Sequence, residues 1–98
     1  MKIIWSNTAN YTFKKEQDCI FSKWNAIEVL KFVDLVDAAI LKLKDFPEIG
    51  VELKNHRYLV ISKQTTLFYQ ILDSNNLKLL LFWNNKWNPD DFNLFIKK

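Results

Sequence analysis

The chain has 98 residues, 49% of them hydrophobic and 15% aromatic, with a net charge of +3 and a sequence pI near 9.0. That length suits one domain spanning residues 1–98 with a single core. No stretch reaches the roughly 18 uncharged apolar residues of a membrane span, and the start Met1-Lys2-Ile3-Ile4-Trp5 lacks the apolar centre of a signal peptide. The single cysteine, Cys19, has no internal disulfide partner, so a reducing cytoplasm is expected. The charge is uneven: residues 22–49 hold four Lys against five acids, and residues 76–98 hold four Lys against two. Positive potential in the C-terminal half suits an acidic partner or a nucleic acid, although such an excess also simply keeps a small protein soluble.

Residues 2–5 are β-branched and aromatic and predict an opening strand. Ser6 is a suitable N-cap for a helix over about 8–19, with Ala9, Phe13 and Ile20 as its thin apolar side. Ser22 is the expected cap of a longer helix reaching about Lys44. There Val29, Val33, Val36, Ile40 and Leu43 recur in steps of four and three on one stripe, widened by Leu30, Phe32 and Ala39. Asp45-Phe46-Pro47 stops it, because the residue before a proline disfavours helical geometry.

From residue 56 the period becomes strand-like. Residues 57–62 alternate, Lys63-Gln64 is a turn, residues 65–72 form a second strand, Asp73 to Asn76 a second turn, and residues 77–83 a buried central strand. Short turns predict an antiparallel meander. Asn84, Asn85 and Asn88-Pro89 end it, and Asp90 is placed to cap a short last helix with Phe92, Leu94, Phe95 and Ile96. The predicted fold class is therefore α+β: a helical hairpin packed on a small antiparallel sheet, with a short C-terminal helix or tail.

Several chemistries lack their residues. One Cys and one His cannot build a structural zinc site. The only glycine, Gly50, leaves no phosphate-binding loop. Asp34 and Asp37 share a helix side as a solvated face, and Cys19 has no evident histidine partner.

The Trp-Ser opening, the hairpin with Trp24 near its second start, and the Asp45-Phe46-Pro47 stop precede His56-Arg57-Tyr58-Leu59-Val60-Ile61-Ser62-Lys63. Next come Thr66-Leu67-Phe68-Tyr69-Gln70-Ile71 and Leu81-Phe82-Trp83-Asn84-Asn85-Lys86-Trp87-Asn88-Pro89. In that order and spacing the chain resembles the RelE/ParE superfamily of toxins from bacterial type II toxin–antitoxin systems. The resemblance implies a cognate antitoxin protein as partner, no cofactor and no metal. RelE-like members cut messenger RNA on the ribosome; ParE-like members lack that catalytic set and are associated with inhibition of DNA gyrase.

By that resemblance the nuclease positions fall on Arg57, which keeps a cation, on Leu59 and Thr66, which do not, on Lys86 in place of an arginine, and on Phe92 in place of a phenol. Leu, Thr and Phe supply neither the charge nor the proton donor that RNA cleavage needs, so ParE-like action is the expectation. The alternatives are a ribosome-dependent messenger endoribonuclease with a modified active site and a degenerate, non-toxic binding domain. Arg57, Lys86 and His56 are the remaining catalytic candidates. Lys54, His56, Arg57, Lys86 and Trp87 are the candidates for target or nucleic-acid contact, the Trp87–Lys86 pairing being of the kind that stacks bases. Lys54, His56 and Arg57 also suit a solvated strand edge, and Trp83 suits the core.

Overall fold

The computed structural model describes residues 1–88 together with 90 and 92. The elements run β1 (Lys2–Trp5), α1 (Asn7–Lys23), α2 (Ala26–Asp45), β2 (Val51–Leu53), β3 (His56–Val60), β4 (Thr65–Ile71) and β5 (Asn76–Asn84). The five strands form one sheet in the order β1-β5-β4-β3-β2. β2 to β5 are the antiparallel meander, and β1 joins the far side of β5 in parallel. The α+β reading holds, with a mixed rather than wholly antiparallel sheet.

Ser6 caps α1 as expected, its Oγ accepting from the Ala9 N–H at 2.9 Å and donating to the Leu80 carbonyl at 2.9 Å. The second cap is corrected. Ser22 lies inside α1, its hydroxyl donating back to the Cys19 carbonyl at 3.0 Å, and Asn25 caps α2 by accepting from the Glu28 N–H at 3.0 Å. α1 continues through Ile20, which packs against the core, to Lys23. On α2, Val36 and Leu43 are fully buried with Phe32 and Ala39 beside them, while Val29, Val33 and Ile40 are half-buried. Leu30 is not part of that face; it is 64% exposed.

The helices cover one face of the sheet. Their core contains Ala9, Phe32, Val36, Leu67, Leu79 and Phe82, and the Trp5 and Phe13 rings lie 5.6 and 5.2 Å from Phe82. Between Phe68 and Tyr69 the β4–β5 register shifts: Phe68 faces Leu81 and Tyr69 faces Leu79, so Leu80 is an extra, bulged residue. Past the bulge the sides exchange, and Leu81 and Trp83 join Phe68 in a second cluster on the opposite face. That two-sided burial explains the continuous apolar run of β5.

β2 is an element the sequence reading lacked. Its three residues are all exposed, and a two-residue turn joins it to β3. Lys54 opens that turn at φ 43°, a region costly for a side-chain-bearing residue. Asp90 and Phe92 are helical; Leu94, Phe95 and Ile96 lie outside the described residues.

Candidate functional site

Strand alternation and register sort the candidate residues by face. Arg57 pairs with Tyr69, whose side chain is in the helix-side core, so Arg57 projects toward the helices. There its guanidinium donates to the Gly50 carbonyl at 3.0 Å and the Glu48 carbonyl at 3.3 Å, with a Glu52 carboxylate oxygen 3.9 Å away. Tyr69 secures the same loop: its hydroxyl donates to the Pro47 carbonyl at 2.8 Å and accepts from the Gly50 N–H at 2.9 Å. Burial raises the Tyr69 phenol above its ordinary value, opposed by the Gly50 N–H and the Arg57 charge. Arg57 thus closes the loop between α2 and β2.

The other family positions are occupied in kind. Leu59 packs against the main core. Thr66 donates to the Asn85 side-chain oxygen at 3.2 Å. Phe92 sits edge-on to Phe68 and Trp83, with ring centroids at 4.9 and 5.2 Å. Lys86 is exposed in the turn after β5. Trp87 stacks edge-on against Trp83 at 5.4 Å, and the Lys15 ammonium lies 4.7 Å from its ring centre.

Lys54, His56 and Arg57 line one polar pocket of ≈ 160 Å³ with Glu52, Asn55 and Ile71. Lys86 and Trp87 are at the other end of the sheet, where Asn85 N–H meets the Gln64 carbonyl at 2.7 Å. With about 3.3 Å per strand residue, the two groups are separated by roughly 20 Å along β4. His56 and Arg57, adjacent in sequence, point to opposite faces.

Two features escaped sequence reasoning. Glu16 is fully buried, accepting from the Asn84 side-chain amide at 2.9 Å and, through its other oxygen, from the Thr65 hydroxyl. Asn84 in turn accepts from the Lys86 N–H at 2.8 Å, so the carboxylate sets the turn that carries Lys86 and Trp87. Thr12, one turn earlier, accepts from the Phe82 N–H at 2.9 Å, giving β5 a partner beyond the end of β1. The signal was present: Ala9, Thr12, Phe13, Glu16 and Ile20 share one helix side. The other feature is a groove of ≈ 280 Å³ between the hairpin and the β3–β4 turn, floored by Ile20, Phe32 and Leu35 and rimmed by Trp24, Lys31 and Lys63. Trp24, Ile27 and Leu30 around the hairpin tip are each more than 60% exposed.

The sequence profile described as "ParE toxin of type II toxin-antitoxin system, parDE" matches residues 3–84, which is every element from β1 through β5. The chain belongs to the ParE toxin family. Among solved structures it is similar to a chain of the chromosomal ParDE TA system from P. aeruginosa, with a TM-score of 0.71 and 15% identity. That match covers 86% of this chain and 95% of the other, and at such identity it speaks for the fold. No curated protein sequence matches this one. Membership in a toxin–antitoxin system implies a cognate antitoxin for this ParE-type toxin. Among the described residues no helix is long and apolar enough to cross a membrane, and no three His, Cys, Asp or Glu side chains gather into a metal site.

Proposed function

We propose that this ParE-type toxin arrests growth by docking on a large target rather than by cutting messenger RNA, with DNA gyrase the first target to examine. The observation that carries this reading is the employment of Arg57. It holds two carbonyls of the 48–50 loop, and Leu59 beside it on the same face is core, so the cation pair of a nuclease is not assembled. Lys86, roughly 20 Å away along the sheet, does not complete a common site with it. Expressed alone in a bacterium, the chain should inhibit growth, and co-expression of the neighbouring small protein should relieve the inhibition. Primer extension on translating ribosomes should show no new cuts in the message, while supercoiling by purified gyrase should fall. Strong ribosomal A-site cuts that vanish in an Arg57→Ala, Lys86→Ala double variant would refute the docking reading.

The antitoxin contact is proposed at the apolar hairpin groove. A groove floored by Ile20, Phe32 and Leu35 and opening on exposed Trp24 suits the apolar side of an amphipathic segment. Lys63 at its rim suits acidic residues on that segment.

A further inference from the structure

The sheet face turned away from the helices has a chemistry of its own. Register places Tyr58 and Phe68 side by side on it, and the next transverse row carries Lys78 and Gln70, with His56 one step along β3. His56 and Tyr58 flank Phe68, with ring centroids at 5.9 and 6.0 Å. All four of His56, Tyr58, Gln70 and Lys78 are half-buried, their outer parts in solvent. Among the described residues Phe92 covers the Phe68–Trp83 end, and Val60 and Val51 on the flank are 62% and 53% exposed.

The charge on this face is one-sided. Glu52 is the only acid in the five strands, and its pairing with Arg57 puts it on the helix side. Lys2 and Lys78 project to the open side, and Lys54 stands at its corner. The nearest turn carboxylate, Asp73, is held low in pKa by the Asn76 side chain and the Asn75 N–H, and is committed to the β4–β5 turn. Asp90 follows the sheet beside Phe92 and is exposed.

We infer that this open face binds single-stranded nucleic acid, with the Tyr58 and His56 rings stacking bases and Lys78 and Lys2 holding phosphates. Flat rings on a sheet surface stack any base, lysines track a backbone, and a face to which the strands send no carboxylate does not repel it. Unpaired strands fit better than duplex, because rings lying on a sheet reach bases only when those are unstacked. The inference is independent of the toxin reading, since binding is measured whether or not the chain arrests growth.

The test is fluorescence anisotropy of labelled oligothymidine and oligouridine against the same-length duplex, over a series of salt concentrations. Single strands should bind more tightly than duplex and weaken as salt rises. Tyr58→Ala should weaken single-strand binding about tenfold while leaving the salt slope unchanged. Lys78→Ala should reduce the log–log salt slope by roughly 0.7, the share of one phosphate contact. Thermal melts accompany each variant, and His56→Ala replaces Tyr58→Ala if the latter loses its transition. The inference is overturned by an absence of binding at low salt. It is equally overturned by single-strand affinity that no ring variant changes, or by duplex bound as tightly as single strand, either of which marks a general polyanion surface.

Discussion

Gly50 and Tyr69 show how one position governs a loop. A Cβ at Gly50 would press on the Tyr69 hydroxyl and lie 2.7 Å from the Tyr58 carbonyl oxygen, so the chain passes there only as glycine. Gly50→Ala should cost about 1–3 kcal/mol through overpacking, read as a lower urea midpoint with an unchanged slope. Tyr69→Phe removes the acceptor of the Gly50 N–H and the donor to the Pro47 carbonyl, a loss of about 1–3 kcal/mol at neutral pH. Its pH signature separates it from simple loss of packing. Burial raises the Tyr69 pKa, so the fold favours the neutral phenol. The stability this contributes is fully present below the unfolded value near 10.0 and is lost as pH rises through the higher folded value. Melting temperatures followed from pH 8 upward should therefore fall more steeply in wild type than in Tyr69→Phe, and equal slopes would contradict the assignment.

At the scale of elements, α1 is more than a cover for the sheet. Ser6 meets the bulged Leu80 carbonyl, Thr12 meets Phe82, and Glu16 meets Thr65 and Asn84, so the cap and two later positions of α1 hydrogen-bond to β4 and β5. Glu16→Ala would leave two donors in a buried space without an acceptor, at a cost of about 2–4 kcal/mol. Glu16→Gln keeps the shape and one acceptor oxygen and should lose roughly 1 kcal/mol; equal losses in the two variants, measured by denaturation, would mean that packing rather than hydrogen bonding is at stake. On α2, Val36 has no exposed surface. Val36→Asp would bury an unpaired carboxylate, an expense of several kcal/mol against the roughly 5–15 a domain possesses. An insoluble or molten product is expected, and a cooperative melt near the wild-type temperature would show that the α2 face is misassigned.

For the whole molecule, apolar surface divides by role. The core lies between helices and sheet, a second aromatic cluster lies on the far side, and the hairpin tip leaves Trp24, Ile27 and Leu30 in water. Trp24→Asp touches no buried position and should shift the melting temperature little. It should nevertheless abolish co-purification with the neighbouring antitoxin, because a charge would face the partner's apolar side. Retention of the complex by a folded Trp24→Asp protein would move the docking surface elsewhere, to the exposed β2 edge first.

Periodicity alone determined the helical hairpin, the meander of β3 to β5 and the Ser6 cap, because those features depend on side-chain spacing and local backbone chemistry. β2 was illegible: three exposed residues carry no burial pattern, and the strand exists because β3 offers it an edge. Ser22 and Asn25 are both good caps by residue type, and local chemistry does not choose between them; in the fold α1 runs through Ser22 to Lys23 and Asn25 caps α2. The parallel placement of β1 depends on pairings between residues about seventy positions apart, and the bulge at Leu80 on how β5 settles against β4 across their turn; neither is encoded by a local pattern. The candidate site divides in the same way. That Leu59, Thr66 and Phe92 lack the groups of a nuclease is a matter of residue identity and is legible directly. That Arg57 is committed to a loop, that His56 points away from it and that Lys86 is about 20 Å distant are matters of register, set only when the strands pair.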